Sequence, residues 1–331
     1  MKYDGVIVVL SYPDTVVRPA HSEFSSKVWP KLGIGSENAI QAGHAAMLLI
    51  DKKTNNVNYF DFGRYITSYG NGRVRSKETD PELAVPFTAK FKDDVLVNLN
   101  EMLLWLDANP EKTHGDGRLV ASVNAEIDYT KAIDFVNYLI AQKEIPYGAF
   151  VKSGSNCARF ITDTILNSSG NTAIVLKLKT SNLLTPSPIG NVIKGTTEDD
   201  IYVVENQEIQ HYTNRSVIKE YGACFLKKFD RELNLIGTEL PNKALFNLEN
   251  ATWLGGIGSG AWFKIEAKED VNLYRISRHT VKGEKDFEGV FKIKDFSFDI
   301  EESYEFVHPT NCMEVYIEQN SKEFILSKVS S

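Results

Sequence analysis

Cysteine is scarce in this chain of 331 residues: only Cys157, Cys224 and Cys312, an odd number set far apart. They form no CxxC pair, so neither a zinc site nor a disulfide framework is indicated, and each needs its own explanation. The ordinary one is a small buried hydrophobe. Cationic residues are also in deficit, 37 Lys and Arg against 44 Asp and Glu, for a formal net charge of -7. With no basic excess to neutralise phosphates, a nucleic-acid partner is argued against. The acids are dispersed rather than gathered into a tail, as on a solvated surface. No apolar run approaches the roughly 18 residues that a membrane span needs, so no integral membrane segment is expected. The run from Val6 to Leu10 is too short for a signal core and no small-residue cleavage site follows it. It reads as a buried strand, and the location expected from the missing signal is cytoplasmic, with export by another route left open. Internal repeats and low-complexity tracts are absent too.

What is present is ordinary globular material, 42% hydrophobic and 24% charged, long enough for two domains. The first half mixes strand and helix signals. Gly5 to Ser11 reads as a strand, followed by an irregular stretch up to Gly43. Ala45 to Asp51 and Val57 to Phe62 read as strands joined by a polar turn of hairpin length. Val95, Leu99, Leu103 and Leu106 recur at helical spacing, and Asn109-Pro110 ends that helix. Leu119 to Ala125 is a further strand. A helix from Thr130 to Gln142 has Asp128 available as its cap, and Pro146 stops it. A third begins near Cys157. Residues 181–200, with Pro186, Pro188, Gly190 and Gly195, read as a linker. Beyond it helical periodicity fades, and Met313 to Val329 is split by Gln319-Asn320-Ser321-Lys322 like a hairpin. The expected fold class is therefore α+β: a domain over 1–180, a linker over 181–200, and an all-β accessory domain over 201–331.

The chemistry centres on Cys157. A polar loop, Gly154-Ser155-Asn156, leads into the first turn of an amphipathic helix that Cys157 opens. Free N–H groups and the macrodipole at a helix N-terminus favour an anion, and the same N–H groups can hold an oxyanion. Cys224 and Cys312 have no such setting. A thiolate nucleophile needs a base that also protonates the leaving group, usually histidine. Of six histidines, His21, His114 and His308 lie beside Pro or Gly in loop-like sequence, and His211 and His279 are flanked by charged or polar residues. Only His44 opens a strongly apolar strand, where a base is held rigidly, and Gly43 before it leaves room for another backbone or a substrate. The structural alternative is a satisfied core histidine. A third group normally orients the imidazole. Asp61, alone among aromatics on the hairpin partner strand, is the candidate; Arg64 could instead pair with it.

Tyr147, the Gly-containing loop, and Asn156-Cys157 opening a helix resemble the nucleophile segment of NlpC-type amidases and peptidases of the papain-like superfamily. Ordinary members run cysteine first and histidine second. Here Gly43-His44 precedes Cys157 by more than a hundred residues, which resembles the circularly permuted branch that includes lecithin:retinol acyltransferase-like proteins and bacterial relatives. The resemblance covers about Gly5 to Leu178. It implies a permuted papain-like (NlpC-type) domain with Cys157 as nucleophile, His44 as base, Asp61 as third polar residue and Tyr147 beside the oxyanion. Asn156 stands where the family has an aspartate.

The expected function is thus a cysteine hydrolase, an amidase or peptidase acting by acyl transfer on peptide or muropeptide amides. The alternatives are an inactive papain-like scaffold that binds through the β domain, and a lipid or acyl transferase. No cofactor or metal is implied. The expected partners are a peptide or other amide or ester substrate, with the β domain free to recruit a protein. Tyr65, Tyr69 and Arg73 either bind substrate or cover the core. Gly255-Gly256-Ile257-Gly258-Ser259-Gly260 invites a nucleotide-loop reading, but a strand rather than a helix follows it, so a flexible turn is expected, with Trp253 and Trp262 near enough to line a groove.

Overall fold

The computed structural model describes residues 3–19, 27–36, 39–182, 185–198, 200–212, 216–226, 240–241 and 250–329. His21, and residues 183, 184 and 199 of the expected linker, lie outside them.

Four strands come first: β1 (Gly5–Tyr12), β2 (His44–Asp51), β3 (Val57–Gly63) and β4 (Asn71–Arg75). A small hairpin, β5 (Phe91–Lys92) and β6 (Val95–Leu96), leads to helix α1 (Leu99–Ala108) and the single turn α2 (Pro110–Thr113). Val95 therefore belongs to a strand, outside the helix its spacing predicts. Next come β7 (Leu119–Ile127), α3 (Tyr129–Ala141), β8 (Ile145–Pro146), α4 (Cys157–Ser168), α5 (Thr172–Ser181), α6 (Pro188–Lys194), β9 (Ile201–Glu205), β10 (Glu208–Tyr212) and α7 (Val217–Ala223). The strands from β1 to β10, the β5–β6 hairpin excepted, form one eight-stranded antiparallel sheet in the order β10-β9-β7-β1-β2-β3-β4-β8.

The apolar runs of β1 and β2 are continuous rather than alternating because both faces of the sheet are covered. Ile7, Val9, Ala45, Met47 and Leu49 pack with Val136 of α3 and Phe160, Ile161 and Ile165 of α4. Val6, Val8, Leu10, Ala46, Leu48 and Ile50 point the other way, onto Leu99, Met102, Leu103 and Leu106 of α1. The result is three layers with helices on both faces.

The remaining strands, β11 (Ala251–Gly256), β12 (Ser259–Asp270), β13 (Leu273–His279), β14 (Lys285–Ile293), β15 (Glu305–Val307), β16 (Glu314–Gln319) and β17 (Lys322–Lys328), form a second, seven-stranded sheet with its own core around Phe263, Tyr274, Phe291 and Phe306. The expected hairpin at Gln319-Lys322 is there, with Asn320 and Ser321 both at positive φ, as a tight primed turn requires. The Gly-rich stretch forms the β11–β12 turn and is followed by a strand.

The linker reading needs correcting. Ser187, Pro188 and Gly195, which look like spacer composition, are the N-cap, first residue and C-cap of α6. Ile189 and Val192 of that helix are buried in the first core. Residues 201–212, assigned from sequence to the accessory domain, extend the first sheet beyond β7. Among the described residues no helix is long and apolar enough to cross a membrane, and no cluster of three or more metal-ligating side chains is found.

Leu48 has no exposed surface and sits mid-strand between two helical layers. Leu48→Ala should lower stability by about 2–5 kcal/mol, read as a reduced urea midpoint with an unchanged slope.

Candidate active site

Helix α4 starts at Cys157 because Asn156 caps it, its side chain accepting from the Arg159 amide at 2.8 Å. The loop before it is stapled from both ends. Ser155 N donates to the Pro146 carbonyl at 2.9 Å, and Gly148 N to the Ser155 carbonyl at 3.0 Å. The Arg159 guanidinium gathers the carbonyls of Val151 and Gly154, each at 2.8 Å, together with that of Ala149. Cys157 is thus a fixed, nearly buried thiol at a helix N-terminus.

His44 is the first residue of β2 and pairs across to Tyr12 in β1. Gly43 before it has φ +76, and a Cβ there would stand 3.0 Å from the Tyr12 carbonyl oxygen and 3.1 Å from Pro13 Cα, so the approach to His44 requires glycine. The imidazole Nε2 lies 3.4 Å from Asp61 Oδ2, within ion-pair reach but without the alignment of a formed hydrogen bond. Burial pushes the imidazole down, but its contacts with Asp61 and with the Cys157 thiol outweigh that and raise it to about 9. Cys157, His44 and Asp61 therefore meet, with the imidazole between the other two.

Asp61 is fully buried and stands opposite Ala46 on one side and Arg75 on the other. Arg75 grips it with both arms, Nε to Oδ1 at 2.9 Å and Nη2 to Oδ2 at 2.5 Å, and the Tyr59 hydroxyl donates to Oδ2 at 3.0 Å. Burial would raise this carboxyl, but the Arg75 charge and the His44 contact hold it well below the usual range. The Arg75 guanidinium lies over the Tyr65 ring at 3.7 Å. That ring presents its edge to His44 at 6.2 Å and stacks on His114 at 4.7 Å. Gly63 makes room for it, since a Cβ there would overlap the ring. Burial, and then the nearby Arg75 charge, push His114 down to about 3.

The fourth expected residue, Tyr147, lies between Phe62, stacked at 6.2 Å, and the Arg64 guanidinium, 4.3 Å from its ring centre. Tyr65 lies within electrostatic reach of both Cys157 and Tyr147. Arg64 does not pair with Asp61; it donates to the Arg18 carbonyl at 2.5 Å. Of the residues left open from sequence, Tyr65 and Arg73 are buried and Tyr69 is exposed. Sequence reasoning missed Arg75 and Tyr59 and set His114 aside as loop-like. A buried aspartate calls for a buried cation, and that signal pointed to Arg64 because it is near in sequence. The other two thiols have different surroundings. Burial pushes Cys224, beside Asp14 and Arg118, up to about 11, and Cys312, in the second core, up to about 12.

Residues 7–174, which hold every residue of this constellation, match the family described as type VI secretion system effector TseH-like. The chain belongs to that family. Residues 251–329 match a second family, the DUF6695 C-terminal domain. Among solved structures, the crystal structure of the type VI secretion system effector TseH matches at 15% identity and a TM-score of 0.37, covering 64% of this chain and 99% of that one. No curated protein matches.

The two imidazoles give opposite pH dependences. His114, ordinarily near 6.5, is held neutral down to about 3, so between those values the unfolded chain binds the extra proton and stability rises with pH. His44 keeps its proton up to about 9, so its contribution is complete below about 6.5 and is lost as pH rises to about 9. Urea titrations should therefore show maximal stability near pH 6.5, and His114→Phe should flatten only the acid side. In Asp61→Asn the His44 midpoint, followed by NMR, should fall; an unchanged midpoint would separate the carboxylate from the imidazole.

Proposed function

We propose that this chain is a cysteine-dependent hydrolase, an amidase or peptidase acting by acyl transfer, with Cys157 as nucleophile and His44 as general base. The observation that carries this reading is the meeting of a thiol at the N-terminus of α4 with an imidazole that is itself braced by a buried, arginine-bound carboxylate. His44 takes the thiol proton, and the sulfur forms a bond to the carbonyl carbon of an amide or ester. The N–H groups at the start of α4 face the developing oxyanion. As the carbonyl reforms, the C–N or C–O bond breaks and His44 returns the proton to the leaving amine or alcohol. A water, deprotonated by the same imidazole, attacks the thioester and releases the acid with the free thiol. Asp61 stabilises the imidazolium and fixes its orientation, as the third member of a triad does. On this reading the site is a circularly permuted NlpC-type one, with Tyr147 beside the oxyanion.

The substrate class that fits this reading best is a peptide or muropeptide amide. Membership of the TseH-like effector family supports a role for the protein as a hydrolytic effector, made in the cytoplasm and exported by a type VI secretion system.

Alkylation by iodoacetamide between pH 5 and 9, read for each cysteine by peptide mass spectrometry, tests the pair. Cys157 should react already near pH 6, on the order of 100-fold faster than Cys224 and Cys312, and should slow at least tenfold in His44→Ala. Equal rates at all three cysteines, indifferent to His44, would sink the hydrolase reading and leave a binding protein on the same fold.

A further inference from the structure

Residues 64–70 connect β3 to β4, and the turn at their start is one of the places where the second sheet touches the first domain. Ile66 sits there at φ +50, a left-handed conformation that a β-branched residue adopts only when its surroundings impose it. Its side chain is buried in the core of the second sheet, with Leu254, Phe263 and Val315. The backbone on either side of Tyr65 is gripped by the β11–β12 turn. Ile257 N donates to the Arg64 carbonyl at 2.8 Å, and Ile66 N donates to Ser259 Oγ at 3.1 Å. Gly256 lies so close that a Cβ there would overlap the Arg64 carbonyl oxygen and the Ile66 nitrogen.

A second contact ends on the same residue. Arg278 of β13 is 3% exposed and donates to Asp80 at 3.4 Å, to both oxygens of Asp286, and to Glu82. Asp80 in turn accepts both arms of Arg73, at 2.6 and 2.7 Å, while Arg73 Nε donates to the Tyr65 carbonyl at 2.8 Å. Residue 65 is thus held through its own carbonyl and through both neighbouring peptide units. Its ring meets His44 by the edge and Arg75 by the face.

We propose that the C-terminal β domain is a positioning part of the active site: the turn at Gly256–Ser259 and the Arg278–Asp80–Arg73 row fix Tyr65, and Tyr65 with Arg75 fixes the imidazole of His44. The domain does not merely recruit a partner. Without its grip the strained turn at Ile66 relaxes and Tyr65 leaves its place against His44. This rests on the reading of Cys157 and His44 as the reacting pair.

Gly256→Ala in the full chain inserts a methyl where the two backbones touch, and Arg278→Met removes the charge that anchors Asp80. Each should slow Cys157 alkylation at pH 6 by about 3- to 30-fold and move the His44 midpoint from about 9 toward 6.5, with the circular dichroism spectrum of the folded protein retained. Ser259→Ala removes only a hydroxyl, serves if the larger changes fail to fold, and should shift both readouts in the same direction by about 3-fold or less in rate. Glu314→Gln removes the charge from the Lys143–Glu314 ion pair between the domains, at 3.0 Å, which is part of neither contact with residue 65, and should change neither readout. Folded variants with the wild-type alkylation profile and His44 midpoint would overturn the proposal, as would an equal loss in Glu314→Gln. If wild-type Cys157 shows no preference at pH 6, the hydrolase reading fails by itself, and the His44 midpoint still decides whether the β domain positions the imidazole.

Discussion

Asp61 is a carboxylate with no exposed surface in the middle of an antiparallel sheet, and a charge in that place must be matched by its immediate neighbours. Three groups match it: the fork of Arg75, the hydroxyl of Tyr59 and the imidazole of His44. Tyr59 reaches it along the same strand, whereas Arg75 and His44 come from the two neighbouring strands and reach it only in one register. Asp61 faces Arg75 across the β3–β4 pair and Ala46 across the β2–β3 pair, and the small side chain of Ala46 leaves space on that flank. A slip of one residue in either pairing would turn Asp61 to the opposite face and strand both charges in hydrocarbon. The carboxylate thus specifies the register of three strands as firmly as the apolar residues around it do.

Rigidity of the site follows from the layers. Helix α1 and its satellites cover one face of the sheet, and α3 and α4 the other, so β2 has no soft side. A histidine that opens such a strand stands at the sheet's end, where the N-terminus of α4 can meet it, while its backbone is as fixed as the core. The thiol is treated in the same way from the other direction. Arg159 collects three loop carbonyls, and the Asn156 cap sets where the helix begins, so the position of Cys157 is fixed by the hydrogen bonds of its neighbours.

These local features are what the sequence makes legible. A cap followed by an amphipathic pattern marks α4, and an apolar run with one histidine at its head marks β2. Both signals lie within a few residues, so the places of His44 at the head of β2 and of Cys157 at the head of α4 can be read without a structure. The partner of Asp61 cannot, because it depends on strand pairing. Arg64 is three residues away but lies past the end of β3, whereas Arg75 is fourteen residues on and directly opposite. The stretch 181–200 misleads for a related reason. Ser, Pro and Gly are spacer residues and also cap residues, and only the burial of Ile189 and Val192 tells which use applies. Strands β9 and β10 are hidden because sheet membership is a long-range property, and here it joins residues 201–212 to a strand about eighty positions earlier.

Arg75 also helps explain why two histidines that touch one tyrosine ring, His44 at its edge and His114 on its face, behave in opposite ways. Both His44 and His114 pack against Tyr65, and loss of water pushes both down. His44 faces the carboxylate and the thiol, which overcome the loss of water, whereas His114 faces the guanidinium, whose charge adds to it. One cation therefore keeps Asp61 ionised for His44 and adds to the desolvation that disfavours a proton on His114, the ring stacked on Tyr65. A lysine could not replace it, since an ammonium offers a point charge with neither the two-pronged grip on both carboxylate oxygens nor the planar face that covers the Tyr65 ring. The site's electrostatics and its packing are in this sense one property, carried by the shape of a guanidinium.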